Sequence, residues 1–254
     1  MATYKKKGQK KIKNVPVDKI EEESATAEVF KNLDETASKT EQWVEKNQKP
    51  IFSGLLLVVV VILGYLAYNN YILEPKEQEA ANELAFPKID FEKASNATTA
   101  VDSLYTIALE GTNGKYGFVD IADKYSGTNA GNLANYYAGI SFLRVKQYDK
   151  AISYLESFSS NDALLGPTAL GAIGDAFADL GQSEDALSYY EQAAKSNDNA
   201  TTTPLFLLKA GNTALELGNA QKAEDLFTEI KDKYASSSAA QNIEMHINKA
   251  KYSK

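Results

Sequence analysis

The 254-residue sequence contains no cysteine and a single histidine, His246. Without cysteine the chain has no disulfide, thiolate zinc site, iron–sulfur cluster or cysteine nucleophile. A single histidine excludes a multi-histidine metal site and argues against a histidine-based catalytic triad. The sequence also lacks the G-x-x-x-x-G-K-[ST] phosphate loop and the H-E-x-x-H zinc motif. We therefore expect no catalytic, cofactor-binding or metal-binding residues, and a protein that is not an enzyme.

A basic excess is also missing, because the formal net charge is −7. This balance argues against a protein that binds a specific nucleic acid. The charge is distributed unevenly, however. Residues 1–50 carry 11 lysines and 9 acidic residues, whereas the remainder of the chain carries 16 basic and 25 acidic residues.

Residues 51–73 form a run of 23 residues without a formal charge, and its centre is unbroken aliphatic sequence. In a helix this run spans about 35 Å, enough for the hydrocarbon core of a bilayer, which is about 30 Å thick. Trp43 on one side and Tyr68 and Tyr71 on the other are typical of the two membrane interfaces. The run predicts a transmembrane helix in a lipid bilayer, with a buried core helix as the alternative. Because a long polar tail precedes it, we expect an uncleaved anchor.

The orientation of this anchor is predicted from lysines. Six lysines between Lys5 and Lys13 are not opposed by any acidic residue until Asp18. The positive-inside tendency then places the N-terminus in the cytoplasm. In a Gram-negative cell the C-terminal region would be periplasmic, on a single-pass protein of the inner membrane; an inverted topology is the alternative. The predicted segments are a cytoplasmic tail, the transmembrane helix, a linker or stalk and a periplasmic repeat domain: 1–50, 51–73, 74–97 and 98–254.

The tail from Asp18 to Lys49 has a composition compatible with a helix. Its apolar residues recur at intervals of three and four: Phe30, Leu33, Ala37, Thr40 and Val44. The stripe is narrow and interrupted. It fits a helix that lies on a surface or docks on a partner, and it fits a partly disordered tail equally well.

Small residues recur at nearly constant intervals in the C-terminal region. They are three glycines and three alanines: Gly139, Gly174, Gly211, Ala151, Ala186 and Ala223. In both series the intervals are 35 and then 37 residues. Such a repeat predicts units of two helices, with the small residues at the close approach of the pair and large residues between neighbouring units.

This pattern resembles the tetratricopeptide repeat, whose period is 34 residues. The resemblance covers about residues 132–235, although the first signature position holds Asn135, Leu170 and Leu207 in place of tryptophan. It implies an all-α solenoid with about three clear repeats. Because the triplet at 123–125 recurs 109 residues later, we also expect a degenerate leading repeat, with helices over 101–110 and 115–126. Residues 238–251 are expected to form a capping helix.

In this family the first helix of each repeat lines the concave, ligand-binding face. The resemblance places seven apolar residues there as candidate partner-binding residues: Leu133, Tyr136, Ile140, Leu143, Leu205, Leu208 and Leu215. Between the two apolar groups the second repeat contributes Asp175 and Asp179. The surface would accept an amphipathic helix or an extended apolar segment. Alternatively, the apolar residues of the first repeat pack against residues 98–126 or the closing helix.

A short basic tail, one span and a small repeat domain with Asn132-Leu-Ala-Asn-Tyr-Tyr-Ala-Gly139 in its first clear repeat together resemble the YfgM-like family. These proteins are ancillary subunits of the SecYEG translocon. The resemblance implies a non-enzymatic adaptor whose partners are SecYEG, a PpiD-type membrane-anchored periplasmic chaperone and nascent secretory proteins. The alternative is a scaffold that coordinates envelope assembly or cell division.

Overall fold

The structure, a computed structural model, describes residues 25–253. The chain divides into two compact units, one ending at Ala67 and the other formed by Tyr68–Lys254. The basic tip Lys5–Lys13 lies outside the described residues.

The first unit contains helix α1 (Ala25–Lys46) and nearly all of helix α2 (Gln48–Tyr68). No residue of α2 is buried, although its sequence is almost entirely apolar. Within the described part of the chain, one helical run, Gln48–Asn96, is long and apolar enough to cross a membrane. Its most apolar stretch is fully unburied, whereas the core helix of a soluble domain would be covered. The exposure and composition support membrane anchoring.

The segment 74–97, predicted as a linker, is instead helix α3 (Glu74–Asn96), which follows a π-helical turn at Asn69–Leu73. Its buried residues recur every three to seven positions on one face: Ala80, Leu84, Pro87 and Ala94. Ala80 and Leu84 belong to a hydrophobic cluster with residues as distant as Phe142. The linker prediction is corrected because this stripe consists mostly of small residues, which the surrounding charges conceal in the sequence.

The leading unit differs from the prediction in its second half. Its elements are a helix, a hairpin and a second helix: α4 (Val101–Glu110), β1 (Gly111–Thr112), β2 (Lys115–Tyr116) and α5 (Phe118–Lys124). The strands pair antiparallel. Asn113 and Gly114 both have positive φ, as a two-residue hairpin turn requires. Within residues 25–253 the fold is therefore helical except for this short hairpin, and the predicted second helix begins only at Phe118.

Three helix pairs follow, as the spacing predicts. They are α6 (Asn129–Arg144) with α7 (Tyr148–Glu156), α8 (Leu165–Asp179) with α9 (Ser183–Ser196), and α10 (Thr202–Glu216) with α11 (Ala220–Lys233). Each pair is joined by a turn that contains one residue of positive φ: Lys146, Gly181 and Gly218. These residues keep the intervals of 35 and 37, so the repeat extends to the backbone of the turns.

The repeated glycines lie where the two helices of a pair approach each other. A Cβ atom on Gly174 would lie 2.7 Å from the ring of Tyr190, and one on Gly211 would overlap the ring of Phe227. A Cβ atom on Gly139 would likewise overlap Leu155. Glycine therefore makes room for one large side chain per repeat, which is the packing that the spacing predicts.

The C-terminal segment forms a 3₁₀ turn (Ser238–Ala240) and helix α12 (Ile243–Tyr252), in agreement with the predicted closing helix. Ile243, Ile247 and Ala250 pack into the largest hydrophobic cluster, which also contains Phe227. The single histidine has a packing position, because the His246 ring lies 5.2 Å from that of Phe227.

Candidate binding surface of the repeat domain

The four candidate residues of the first repeat are half-buried. Leu133 packs against the cluster that contains α3 and α5 residues, and Leu143 contacts both that cluster and the next one. Tyr136 and Ile140 pack against a cluster formed by Leu155 and residues of α8. The structure thus places these side chains between neighbouring helix pairs, where only part of each surface remains available to a partner.

Tyr136 illustrates this intermediate environment. Its ring lies 5.2 Å from that of Phe158 and 5.5 Å from that of Tyr137. Burial raises the pKa of the Tyr136 hydroxyl, and the neighbouring Tyr137 adds to the effect. These aromatic contacts fix the position of the Tyr136 ring, which is therefore only partly available to a partner. Truncation of Tyr136 would also disturb the packing between the repeats.

The three candidates of the third repeat divide in a similar way. Leu208 and Leu215 are partly buried against the largest cluster, whereas Leu205 is 43% exposed. Leu205 therefore offers the largest free apolar surface of this group.

A cleft of about 380 Å³ lies beside the C-terminal ends of α6 and α8, and we call it the central cleft. Its lining residues come from both helices of a pair and from the turn: Leu143, Arg144, Lys146, Tyr148, Asp175, Ala178, Asp179 and Tyr190. Leu143 is the one candidate partner-binding residue among them. The sequence interpretation missed Lys146, Tyr148 and Tyr190, because it considered only first helices.

A network around Asp175 fixes the floor of the central cleft. The Tyr190 hydroxyl donates to Asp175 Oδ1 at 2.7 Å. Lys209 Nζ on α10 donates to both carboxylate oxygens, at 2.6 and 2.8 Å. Burial, followed by the hydrogen bond to Asp175, strongly raises the pKa of Tyr190. Asp175 is therefore an occupied acceptor that ties α8, α9 and α10 together.

Asp179 differs from Asp175 because its side chain is exposed. Burial, then the charge of Asp179 and a hydrogen bond to its carboxylate, raise the pKa of Tyr148 across the cleft. The negative charges of Asp175, Asp179 and Glu216 also contribute to the raised pKa of Tyr190. Lys209 beside Asp175, and Arg144 and Lys146 in the lining of the cleft, compensate part of this negative charge. Within residues 25–253 no cluster of three acidic or histidine side chains could hold a metal ion.

The comparison with known families agrees with the repeat geometry. Residues 172–238, from the middle of α8 to the start of the 3₁₀ turn, match the model of the tetratricopeptide repeat. No curated protein matches the chain. The repeated helix pairs and this match together support a tetratricopeptide-repeat protein, a class of scaffold that binds other proteins.

Proposed function

We propose that this chain is a membrane-anchored adaptor of the bacterial Sec translocon, whose repeat domain binds a chaperone partner or emerging secretory segments in the periplasm. The observation that carries the binding role is the central cleft, where exposed carboxylate and apolar groups lie side by side on rigid helices. The translocon as its place of action comes from the resemblance to YfgM-like proteins. In this proposal α2 docks beside SecYEG and the repeat domain lies at the periplasmic exit of the channel.

The cleft suits a segment in which an apolar side chain is flanked by charged groups of both signs, because Arg144 and Lys146 line it together with Asp179. Leu143 and Ala178 provide apolar contact, and the exposed Asp179 provides a partner for a basic group. Asp175 would add long-range attraction, although Lys209 already occupies its oxygens. A contact of such small area favours transient binding of an unfolded chain before its transfer to a chaperone.

Charge reversal in the cleft tests the binding role. Asp179→Lys should reduce co-purification of SecYEG-associated chaperone and secretory chains in mild detergent by about tenfold, because it places like charges opposite a basic segment. Asp232→Lys is the matched control, since Asp232 is also exposed but lies at the end of α11, outside the cleft. Equal recovery with both variants would remove the cleft from the proposal.

Two further outcomes separate the translocon role from its alternatives. Absence of SecYEG from the preparation, together with enrichment of a labelled chain at the division septum, would favour a cell-division scaffold. Orientation is tested with single cysteines, which are clean probes because the chain has none of its own. A membrane-impermeant maleimide should label Asn113→Cys in spheroplasts; labelling only after lysis would place the repeats in the cytosol.

A further inference from the structure

Helix α1 exposes an apolar face that no described residue covers. Val29, Leu33 and Val44 are 56, 59 and 43% exposed, and Trp43 is 61% exposed. The face continues through Thr36, Ala37 and Thr40, which are also exposed. A helix of 22 residues with such a face is stable in water only to a limited extent unless another surface covers the face.

The charges of α1 are separated from this face. Each residue of a helix advances about 100° around the axis. The charged side chains that the structure describes on α1 are Lys39, Glu41, Glu45 and Lys46. On this helical register they leave an uncharged arc of about 200°, which includes Val29, Leu33 and Trp43.

The width of this arc favours a lipid surface over a second copy of the chain. A coiled-coil seam uses two positions in seven and is usually flanked by charged residues that pair across it. The arc of α1 is wider than such a seam, and the polar residues Thr36 and Thr40 lie within it. A broad uncharged face on a helix with low overall hydrophobicity is typical of helices that lie in the membrane interface.

The position of α1 in the chain supports the same partner. Asn47 alone separates Lys46 from the start of α2, the helix that supports membrane anchoring. The side-chain amide of Asn47 donates a hydrogen bond to the backbone carbonyl of Trp43 at 2.7 Å. Because α1 ends next to α2, lipid is its nearest large apolar surface, and association with that surface is intramolecular.

We infer that α1 lies along the cytoplasmic surface of the bilayer, with the Leu33 face inserted about 5–10 Å into the boundary between headgroups and acyl chains. The inference rests on the proposed membrane anchoring. The sequence of α1 contains three lysines and five acidic residues, so the attachment depends on apolar contact and not on attraction to anionic lipid.

Fluorescence quenching of the full chain in phosphatidylcholine vesicles tests this placement, because Trp43 is the single tryptophan. In a Trp43→Phe background, tryptophan is introduced as Leu33→Trp or Gln42→Trp, and the lipid carries bromine near the headgroup. Gln42 lies on the opposite side of α1 but nearer to α2 in the chain. A surface helix quenches position 33 at least about threefold more than position 42, whereas a tail that leaves the membrane quenches position 42 more.

Three controls make each result decisive. Val60→Trp, with lipid brominated near the ends of the acyl chains, reports on α2, and if it is not quenched, the anchoring itself fails. If Val60→Trp is quenched and Leu33→Trp is not, α1 is not on the lipid and the inference is overturned. A disulfide-linked dimer of Leu33→Cys, absent for Ser38→Cys, would assign the face to a second copy instead. Equal quenching with and without phosphatidylglycerol is expected.

Discussion

Helices α1 and α3 lie on either side of α2 in the chain, and both carry a stripe of small and apolar residues. In α3 the stripe is covered: Ala80 and Leu84 are 0 and 6% exposed within a cluster of the repeat domain. In α1, Leu33 is 59% exposed. Periodicity therefore shows that a helix has a face to cover, and the surrounding chain decides what covers it.

The two helices also differ in their polar contacts. The Glu77 carboxylate on α3 accepts hydrogen bonds from the N–H groups of Asn129 and Ala130, at 2.6 and 2.9 Å. It thereby caps the N-terminus of α6 with a negative charge, which the helix dipole favours. Lys76 Nζ donates to the Ser126 carbonyl in the same loop. These contacts attach the start of α3 to the repeat domain, so α3 is a structural part of that domain.

The largest loss of stability is expected when a charged residue is placed in the buried apolar stripe of α3. Leu84→Asp should destabilise the repeat domain by about 4 kcal/mol or more, because it buries an unpaired carboxylate and leaves a cavity. Leu33→Asp in α1 should leave the thermal unfolding midpoint of the same domain unchanged. Circular dichroism of the full chain in detergent measures both; equal effects would abolish the distinction between α1 and α3.

A smaller effect is expected from the repeated glycines. Gly211→Ala should lower the free energy of unfolding by about 1–2 kcal/mol, since overlap with Phe227 outweighs the better helix propensity of alanine. Gly64→Ala in α2 is the control, because no atom outside its own helix lies within 4 Å of the added Cβ. Urea unfolding compares the two, and a stabilised Gly211→Ala variant would contradict the packing of α10 on α11.

Removal of the Glu77 cap should cost about 1 kcal/mol. Glu77→Gln keeps the size of the side chain but loses the charge at the start of α6. Glu92→Gln removes an exposed charge elsewhere on α3 and should change the urea midpoint little. If the two variants unfold at the same urea concentration, the cap does not attach α3 to the repeats.

The smallest effect is a pH dependence. A hydrogen bond from Tyr125, and then Lys124, lowers the pKa of Glu79 below 4.5. A lowered pKa in the folded state gives stability that is present above the unfolded value and is lost as the pH falls through the folded value. Thermal unfolding between about pH 5 and 3 should therefore show a weaker decline in Glu79→Gln than in the wild type. Parallel curves would show that Glu79 does not contribute.

The repeats could be predicted from the sequence because the glycine and alanine positions require close helix approach wherever they recur. The packing of helix α3 against the repeats could not be predicted, since a stripe of alanine and proline among charged residues has little hydrophobic signal of its own. The stripe of α3 is recognised as a packing surface only when the structure shows the neighbouring helices in contact with it. The hairpin at Asn113–Gly114 had a local signal in its turn, but the strands on either side are two residues long.

The candidate surface was less predictable than the fold. Its apolar residues follow from the family register, but their exposure depends on the neighbouring repeat, as the contact of Tyr136 with Phe158 shows. Tyr190 belongs to a second helix and reaches Asp175 because Gly174 leaves space for its ring. Such a contact between two helices has no signature in either segment alone.

Site-specific photo-crosslinking in cells tests whether the central cleft binds a chaperone or secretory chains. A photoreactive side chain at Ala178, which lines the central cleft and is exposed, is compared with one at Ser188, which is exposed on α9 outside it. We expect crosslinks from position 178 to a periplasmic chaperone or to secretory chains emerging from SecYEG, and none of these from position 188. Identical crosslinks at both positions, or none at position 178 in cells with active secretion, would contradict this expectation.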